Sequence, residues 1–276
     1  MLDVAVIGCG IVGANVAYLL SQHKLRAAVF EKENDVSMGT TRANSAIVHA
    51  GYDPEPGTAM ARLNVRGSAL TKEQCAAFDV KYRQIGSLVL AFSDEEMATV
   101  RRLYENGVAN GVPGVRVLTR EETLAMEPNL SDAVCGALYA PSAAIVEPWD
   151  LALALAEAAV ENGVELHLET AVTGAEKISG GWRLHTAKGD FEARAVVNAA
   201  GVEADLVAAM AGEPGFTTIP SRGEYYLLDK SQGYVVNHVV FQCPNRDGKG
   251  VLVSPTVHYN LIVGPNAEPS GREDVS

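Results

Sequence analysis

Three glycines near the start of the chain have types and spacing suited to phosphate binding. Gly8, Gly10 and Gly13 directly follow the apolar run Val4–Ile7, which is typical of a buried parallel strand. Glycine at these positions permits a tight turn, close approach of a phosphate to the backbone, and close packing of the next helix on the strand. This pattern predicts a dinucleotide-binding turn.

The residues after the glycines extend that pattern. A helix is predicted to begin at Ile11, and the first backbone N–H groups, including those of Ile11 and Val12, would face the phosphates. A second strand, Ala27–Phe30, ends at Glu31 and Lys32, and a carboxylate there can accept the hydroxyls of an adenosine ribose. The alternative is a glycine-rich turn that binds nothing. A dinucleotide-binding turn is favoured over this alternative, because the strand, the helix, the second strand and the terminal acid all occur at the expected spacing.

Composition excludes several classes of function. The chain has 276 residues, 47% of them hydrophobic, which suffices for one large domain or two interleaved ones. Its formal net charge of −12 argues against binding nucleic acid or an anionic membrane surface. No segment reads as a membrane span, and the four cysteines are too scattered for a disulfide scaffold or a zinc site. We expect a cytoplasmic protein, and any association with a membrane would come through a partner.

The elements after the glycine turn predict a domain of mixed α and β structure. A helix over residues 58–78 would carry Met60, Leu63, Gly67 and Leu70 on one face. Two capping boxes, each a Ser or Thr followed three residues later by Glu, predict two further helices. The boxes are Ser93 with Glu96 and Thr119 with Glu122.

The pattern changes at Pro148, where a helix is predicted to begin and to end near Gly163. Short strands follow, and the last of them, Ala195–Asn198, runs into a turn of small residues that ends at Gly201. This turn suggests a return to the parallel sheet beside the phosphates, with an ordinary strand–helix turn as the alternative. From Phe216 onward the pattern predicts antiparallel strands.

The predicted fold is therefore α/β, with a Rossmann-like nucleotide-binding domain interleaved with an α+β substrate domain built on an antiparallel sheet. We assign residues 1–80 and 145–215 to the nucleotide-binding domain. Residues 81–144 and 216–276 form the substrate domain.

At this point the chain resembles the FAD-dependent oxidoreductases of the D-amino-acid-oxidase type. Within that family it is most similar to flavin-linked glycerol-3-phosphate dehydrogenases and L-2-hydroxyglutarate oxidases. The segments that carry the resemblance are Val6–Glu31, Thr41–Tyr52, Glu169–Ala175, Val196–Asp205, Arg222–Leu228 and Val263–Ala267.

The resemblance implies FAD as cofactor and assigns roles to individual positions. A segment matching Arg42–His49 passes beside the isoalloxazine ring, and the residue matching His49 faces the substrate. Further cofactor contacts are implied at Lys32, Thr41, Arg42, Asn44, Ser45, Val172, Ala200 and Gly201. Arg222 and Tyr225 match a strand that lines the active site. Family members continue beyond the position of Glu268 with a segment that closes over the flavin, so the short chain is expected to bind FAD less tightly or to be a fragment.

The chemistry implied is removal of a hydride from a CH–OH group to flavin N5 while a base takes the hydroxyl proton. His49 is the candidate base, since the ordinary pKa of histidine lies near neutrality, and a loop histidine bonded to backbone is the alternative. Arg222 and then Arg42 are candidate anion binders, although both are suited to a plain surface role. Tyr52 and Tyr225 would add hydroxyl donors or simply pack in the interior.

We expect a small anionic hydroxy substrate, sn-glycerol 3-phosphate first and L-2-hydroxyglutarate second. Electrons would leave to a quinone, a partner flavoprotein or oxygen. The alternatives are an NAD-dependent dehydrogenase, which the interleaved domains and the segment from Thr41 to Gly51 disfavour, and a non-catalytic relic that binds FAD weakly.

Overall fold

The computed structural model describes residues 1–213, 215–244 and 250–272. Contacts between residues divide the chain into two compact units, each assembled from separate stretches of sequence. The first unit comprises residues 1–44, 148–222 and 269–276, and the second comprises residues 45–147 and 223–268. The mixed α/β architecture expected from the sequence is confirmed.

The helices and strands of the described residues are named here in chain order. They are β1 (Leu2–Ile7), α1 (Ile11–Ser21), β2 (Ala27–Phe30), β3 (Ile47–Val48), α2 (Ala59–Ala77), β4 (Tyr82–Arg83), β5 (Ser87–Ala91), α3 (Asp94–Ala109), β6 (Arg116–Thr119), α4 (Arg120–Met126), β7 (Gly136–Ala140), β8 (Ala144–Val146), α5 (Pro148–Glu161), β9 (Glu165–His167), β10 (Val172–Ile178), β11 (Gly181–Thr186), β12 (Gly189–Asn198), α6 (Ala204–Met210), β13 (Ser221–Arg222), β14 (Tyr226–Leu228), β15 (Val239–Gln242), β16 (Leu252–Pro255), β17 (Leu261–Gly264) and β18 (Glu268–Pro269).

The first unit is built on a six-stranded sheet in the order β10-β11-β12-β1-β2-β9. The strands β12, β1, β2 and β9 run parallel, whereas β10, β11 and β12 form an antiparallel meander. Ala195 of β12 pairs with Val4 of β1, so the predicted return to the parallel sheet is confirmed. Helices α1 and α5 pack on each other. The buried residues of α1 include the small Ala14 and Ala17, which let neighbouring elements approach its backbone closely.

The second unit is built on a seven-stranded sheet in the order β14-β17-β16-β15-β5-β7-β6. The strands pair antiparallel except for β15 and β5, which run parallel. The fully antiparallel sheet expected from the sequence is therefore wrong at this one pair. A parallel pair needs a long crossover, and residues 92–238 between β5 and β15 supply it.

The boundary between the units differs from the one drawn on the sequence. The predicted first stretch extends to residue 80, whereas residues 45–80 belong to the second unit. Strand β3 pairs with β8 and helix α2 contacts β4, and both partners lie in the second unit. The second stretch of the first unit runs over residues 148–222, close to the predicted 145–215.

Local sequence signals fix the helix starts as expected. Thr119 and Glu122 form a complete capping box, in which each side chain accepts from the backbone N–H of the other residue. Ser93 accepts from the N–H of Glu96, but the Glu96 carboxylate accepts from Phe92, one residue before the cap, at 2.6 Å. The apolar face predicted on α2 is not buried, since Met60, Leu63 and Leu70 are exposed.

An ion pair ties the last described residue to the first unit. The guanidinium of Arg272 forms a two-bond fork with Asp205, with Nη1–Oδ1 and Nη2–Oδ2 distances of 2.7 and 2.5 Å. It also donates to the carbonyls of Val202 and Thr218. The hydrogen bond from Arg272, followed by that from the Thr218 amide, lowers the pKa of the Asp205 carboxyl. Among the described residues, no helix combines the length and apolar character needed to cross a bilayer.

We expect Arg272→Ala to lower the melting temperature by a few degrees at neutral pH, because it removes the fork and leaves the Asp205 carboxylate without its cation. The pKa of Asp205 is lowered on folding, so its contribution is present above its unfolded pKa of about 3.9 and is lost as pH falls further. The gap between wild type and variant should therefore be constant from neutrality to about pH 4 and shrink below it.

Thermal melts across pH measure this gap. Arg194→Ala is the matched control, since Arg194 pairs with Asp3 at 3.1 Å on the surface and is expected to contribute little. Equal effects of the two substitutions would contradict a special role for the fork.

Candidate functional site

The first unit holds a crowded glycine turn at the carboxyl end of β1. Gly8 has a φ of +96°, and a Cβ there would lie 2.5 Å from the carbonyl oxygen of Ala199. A Cβ on Gly13 would collide with the carbonyl oxygen of Gly8. Neither position has room for a side chain, so these two glycines are required by the fold of the turn itself.

The start of α1 presents backbone donors at this turn. Among the described residues, the N–H groups of Gly10, Val12 and Gly13 have no hydrogen-bond acceptor. The N–H of Ile11 is different, because it donates to Oγ1 of the buried Thr41 at 3.0 Å. The expectation that Ile11 offers a free N–H is therefore wrong for this residue. The Thr41 hydroxyl instead accepts the hydrogen bond that a phosphate was expected to accept from Ile11.

Glu31 lies at the carboxyl end of β2 and is only 7% exposed. Its two carboxylate oxygens accept from the N–H of Cys9 at 2.7 Å and from the N–H of Glu33 at 3.0 Å. A carboxylate has about four acceptor sites, so both oxygens keep capacity for ribose hydroxyls. The ribose contact stays a prediction, and the structure adds a second role, which is to order the glycine turn.

Cys9 lies between the fingerprint glycines and is fully buried. Burial, followed by the negative charges of Glu31 and Asp35, raises the pKa of its thiol to about 12. A thiol of that pKa is protonated at neutral pH and is a poor nucleophile. Small size therefore explains this cysteine better than reactivity.

The turn after β12 borders the same glycines. The amide of Ala199 donates to the carbonyl of Ile7 at 2.9 Å, which joins this turn to the end of β1. Gly201 follows with a φ of +56° and open space where a Cβ would lie. The ammonium of Lys32 bonds the Glu203 carboxylate at 3.0 Å, so this predicted cofactor residue has a protein partner. Val172 is half-buried at the start of β10.

These features fit the ADP part of FAD. Acceptor-free N–H groups at the start of an 11-residue helix suit a pyrophosphate, and a carboxylate at the end of the second strand suits a ribose. The residues that would hold the group are Gly10, Val12, Gly13, Glu31 and Gly201.

The second unit places His49 directly after β3. Strand β3 pairs with β8, with Ile47 opposite Ile145 and Val48 opposite Ala144, and this pairing fixes the position of the histidine. The exposed His49 ring stacks on Phe241 of β15 with ring centroids 5.9 Å apart. An exposed imidazole on a supported strand end has the chemistry and the access that a base requires.

Tyr52 lies in the hydrophobic core of the second unit. It is buried with Val89, Val100 and Leu138, and burial raises the pKa of its hydroxyl. The structure therefore favours the packing role that the sequence left open, and we do not retain Tyr52 as a substrate contact.

The remaining predicted residues fall in both units. Arg42 and Asn44 belong to the first unit and are exposed, and the Asn44 amide donates to the carbonyls of Thr40 and Thr41. Ser45 is half-buried and begins the second unit. The two predicted substrate contacts Arg222 and Tyr225 belong to different units. Arg222 is exposed and ends a stretch of the first unit, whereas Tyr225 is half-buried and lies in the second.

Two histidine–carboxylate pairs in the second unit were not predicted. His238 Nδ1 lies 2.6 Å from the fully buried Glu127 carboxylate, which also accepts from the amides of residues 237 and 238. His258 Nε2 lies 2.9 Å from Glu147. The partners are 111 residues apart in each pair, so no local pattern could reveal them.

A profile of the family described as FAD dependent oxidoreductase matches residues 3–276. A glycerol 3-phosphate dehydrogenase of Caloramator mitchellensis is 50% identical over 97% of this chain and 56% of its own length. An L-2-hydroxyglutarate dehydrogenase of Escherichia coli K12 is 32% identical over 97% of this chain and 64% of its own length.

A solved structure resembles the whole described fold. It is the dithionite-reduced L-alpha-glycerophosphate oxidase from Mycoplasma pneumoniae with FAD bound, which superposes with a TM-score of 0.91 at 30% sequence identity. The match covers 99% of this chain and 73% of that one. The chain thus spans between about half and three quarters of the length of these relatives.

We expect Gly13→Ala to destabilise the first unit by about 1–3 kcal/mol and to abolish retention of FAD, because the added methyl must displace the Gly8 carbonyl. Melting curves and the flavin absorbance left after dialysis measure both effects. Gly215→Ala in the same unit is the control, since a Cβ there meets open space. Retention of FAD by Gly13→Ala at wild-type level would contradict the placement of the phosphates at this turn.

Proposed function

The chain belongs to the FAD dependent oxidoreductase family, and from this membership we propose that it acts in the oxidation of sn-glycerol 3-phosphate. The observation that carries the substrate is the 50% identity with the glycerol 3-phosphate dehydrogenase of Caloramator mitchellensis over 97% of this chain. Similarity to the Mycoplasma pneumoniae oxidase, in sequence and in fold, supports the same substrate.

FAD, when bound, supplies the acceptor for a hydride at its N5 atom. We assign to His49 the removal of the proton from the substrate hydroxyl, because an imidazole accepts a proton near neutral pH. Its stacking on Phe241 and its position at the end of β3 restrict the ring to few orientations. A base held in one orientation loses less entropy in the reaction than a mobile one.

The anionic end of the substrate needs local cations, because the chain as a whole carries a net charge of −12. We assign this role first to Arg222 and second to Arg42, whose guanidinium groups can donate two parallel hydrogen bonds to a phosphate or carboxylate. Both side chains are exposed. Tyr225 would add a hydroxyl donor.

A second candidate substrate is L-2-hydroxyglutarate. Two features favour it, namely the 32% identity with the Escherichia coli dehydrogenase and the resemblance of residues 223–226 and 264–267 to that branch. Both candidates are small anionic compounds with a CH–OH group, so the same base and the same arginines would serve. The NAD-dependent alternative is not retained, because the family uses FAD.

We further propose a cytoplasmic protein whose electrons pass to a quinone, a partner flavoprotein or oxygen. All four cysteines are free thiols, which supports a reducing compartment. Any peripheral association of the protein with a membrane would then come through the partner that accepts the electrons.

Anaerobic bleaching of the FAD-loaded protein tests the substrate. We expect sn-glycerol 3-phosphate to bleach the flavin absorbance and L-2-hydroxyglutarate to leave it unchanged. Bleaching by L-2-hydroxyglutarate alone would move the assignment to the second candidate. Absence of bleaching by either compound, with FAD demonstrably bound, would contradict both.

For the base, we expect His49→Ala to retain FAD but to slow flavin reduction by about a hundredfold or more. Stopped-flow absorbance under anaerobic conditions measures the rate. His185→Ala is the control, since His185 bonds Asp190 at 2.9 Å on the meander of the first unit. A rate in His49→Ala equal to that of the control would remove His49 from the chemistry.

A further inference from the structure

An ion pair in the first unit joins the two segments that flank the glycine turn. The ammonium of Lys32, two residues after β2, lies 3.0 Å from a carboxylate oxygen of Glu203, five residues after β12. The two residues are 171 positions apart in the sequence. Their side chains are 49% and 35% exposed, so the pair lies at the surface and can open and close by side-chain rotation alone.

The strand order places this pair at the end of the sheet where a dinucleotide is expected. Strand β1 lies between β12 and β2, and Ile7 at its end pairs with Asn198 on one side and with Phe30 on the other. Adjacent strands lie about 4.8 Å apart, so β12 and β2 end about 10 Å from each other. The Lys32–Glu203 pair bridges this gap beyond the carboxyl ends of the strands, where sheets of this type bind their ligands.

Each member of the pair follows a position that is expected to contact the adenosine or the phosphates of FAD. Lys32 directly follows Glu31, whose carboxylate is expected to accept the ribose hydroxyls. Glu203 ends the short turn that begins at Gly201, and its amide donates to the carbonyl of Ala200 at 3.0 Å. The ion pair therefore connects the two halves of the expected cofactor site.

The charges around Lys32 favour this connecting role over direct binding of a phosphate by its ammonium. The carboxylates of Glu203 and Glu33 lie 3.0 and 3.7 Å from the ammonium, and Glu31 precedes it in the chain. A phosphate would have to compete with these carboxylates for the ammonium and would be repelled by them. The ammonium is better used where it already lies, between the two segments.

We propose that the Lys32–Glu203 pair is a latch that slows the release of FAD, because it keeps together the two segments that would hold the adenosine part of the cofactor. The latch opens when the ion pair breaks, and FAD leaves from the open form. This inference rests on FAD as the cofactor and does not depend on the proposed substrate.

The rate at which FAD leaves the protein tests the latch without any substrate. The FAD-loaded protein is diluted, gel filtration at timed intervals removes free FAD, and the flavin absorbance that stays with the protein gives the rate. We expect Glu203→Gln to release FAD about two- to fivefold faster than wild type, which is the range of effects that exposed ion pairs have. The melting temperature of the FAD-free protein should stay within a few degrees of wild type.

Glu33→Gln is the matched control. It removes the same negative charge and leaves the pair between Lys32 and Glu203 intact. Charge alone predicts that loss of either acid slows the release of an anionic cofactor, whereas the latch predicts faster release in Glu203→Gln only. Unchanged release in Glu203→Gln would overturn the latch. Slower release would also overturn it and would assign Lys32 to direct binding of the phosphates.

A double substitution tests whether the two residues act as one unit. Lys32→Met should also speed release, and K32M/E203Q should be no faster than Lys32→Met alone, because the pair is already broken in the single variant. Lys32→Arg keeps a cation at this position and should stay near the wild-type rate. Additive effects of the two single substitutions would overturn the latch.

A wild type that loses its FAD during the first gel filtration would overturn the proposal as well, because a latch must retain the cofactor. Failure of the substrate assignment is distinguishable from failure of the latch. The first is seen as absence of flavin bleaching with FAD bound, and the second as release rates that do not depend on the ion pair.

Discussion

Crowding at the carboxyl end of β1 determines much of the first unit. A Cβ on Gly13 would collide with the carbonyl oxygen of Gly8, and a Cβ on Gly8 would lie 2.5 Å from the carbonyl oxygen of Ala199. Such contacts require β1, the start of α1 and the turn after β12 to meet within a van der Waals distance. Because β12 pairs in parallel with β1, this sheet joins two strands whose paired residues lie some 190 positions apart in the chain. The interleaving of the two units follows from that pairing.

The same crowded turn leaves some donors for a ligand and uses others for the fold. Thr41 accepts the N–H of Ile11, and Glu31 accepts the N–H groups of Cys9 and Glu33. These bonds fix the loop around the turn, since a buried N–H without an acceptor is costly. The N–H groups of Gly10, Val12 and Gly13, which no described residue accepts, then point to the part of the turn available to an anion. Neighbouring N–H groups of this turn therefore have two roles: some stabilise the fold, and others are available to bind a phosphate.

Buried carboxylates in this acidic chain follow a common rule. Glu31, Glu127, Glu147 and Asp205 are each buried, and each accepts from donors that are distant in sequence. Burial of an unpaired carboxylate would be strongly unfavourable, so each needs a partner brought by the tertiary fold. Consequently these acids connect separate stretches within a unit, as Glu127 does with His238 and Asp205 with Arg272.

The sequence by itself determined the features that depend on neighbouring residues. The glycine turn, Glu31 at the end of β2, the capping box at Thr119 and the helix start at Pro148 all follow from local backbone geometry and were predicted. Family resemblance supplied FAD and the importance of the segment around His49, which no local rule contains. Only the tertiary structure decided the parallel pairing of β15 with β5, the burial of Tyr52, the exposure of Met60, Leu63 and Leu70 on α2, and the partners of the buried acids. The physical reason is that periodicity shows which residues share a face, whereas burial and pairing depend on which distant segment packs against that face.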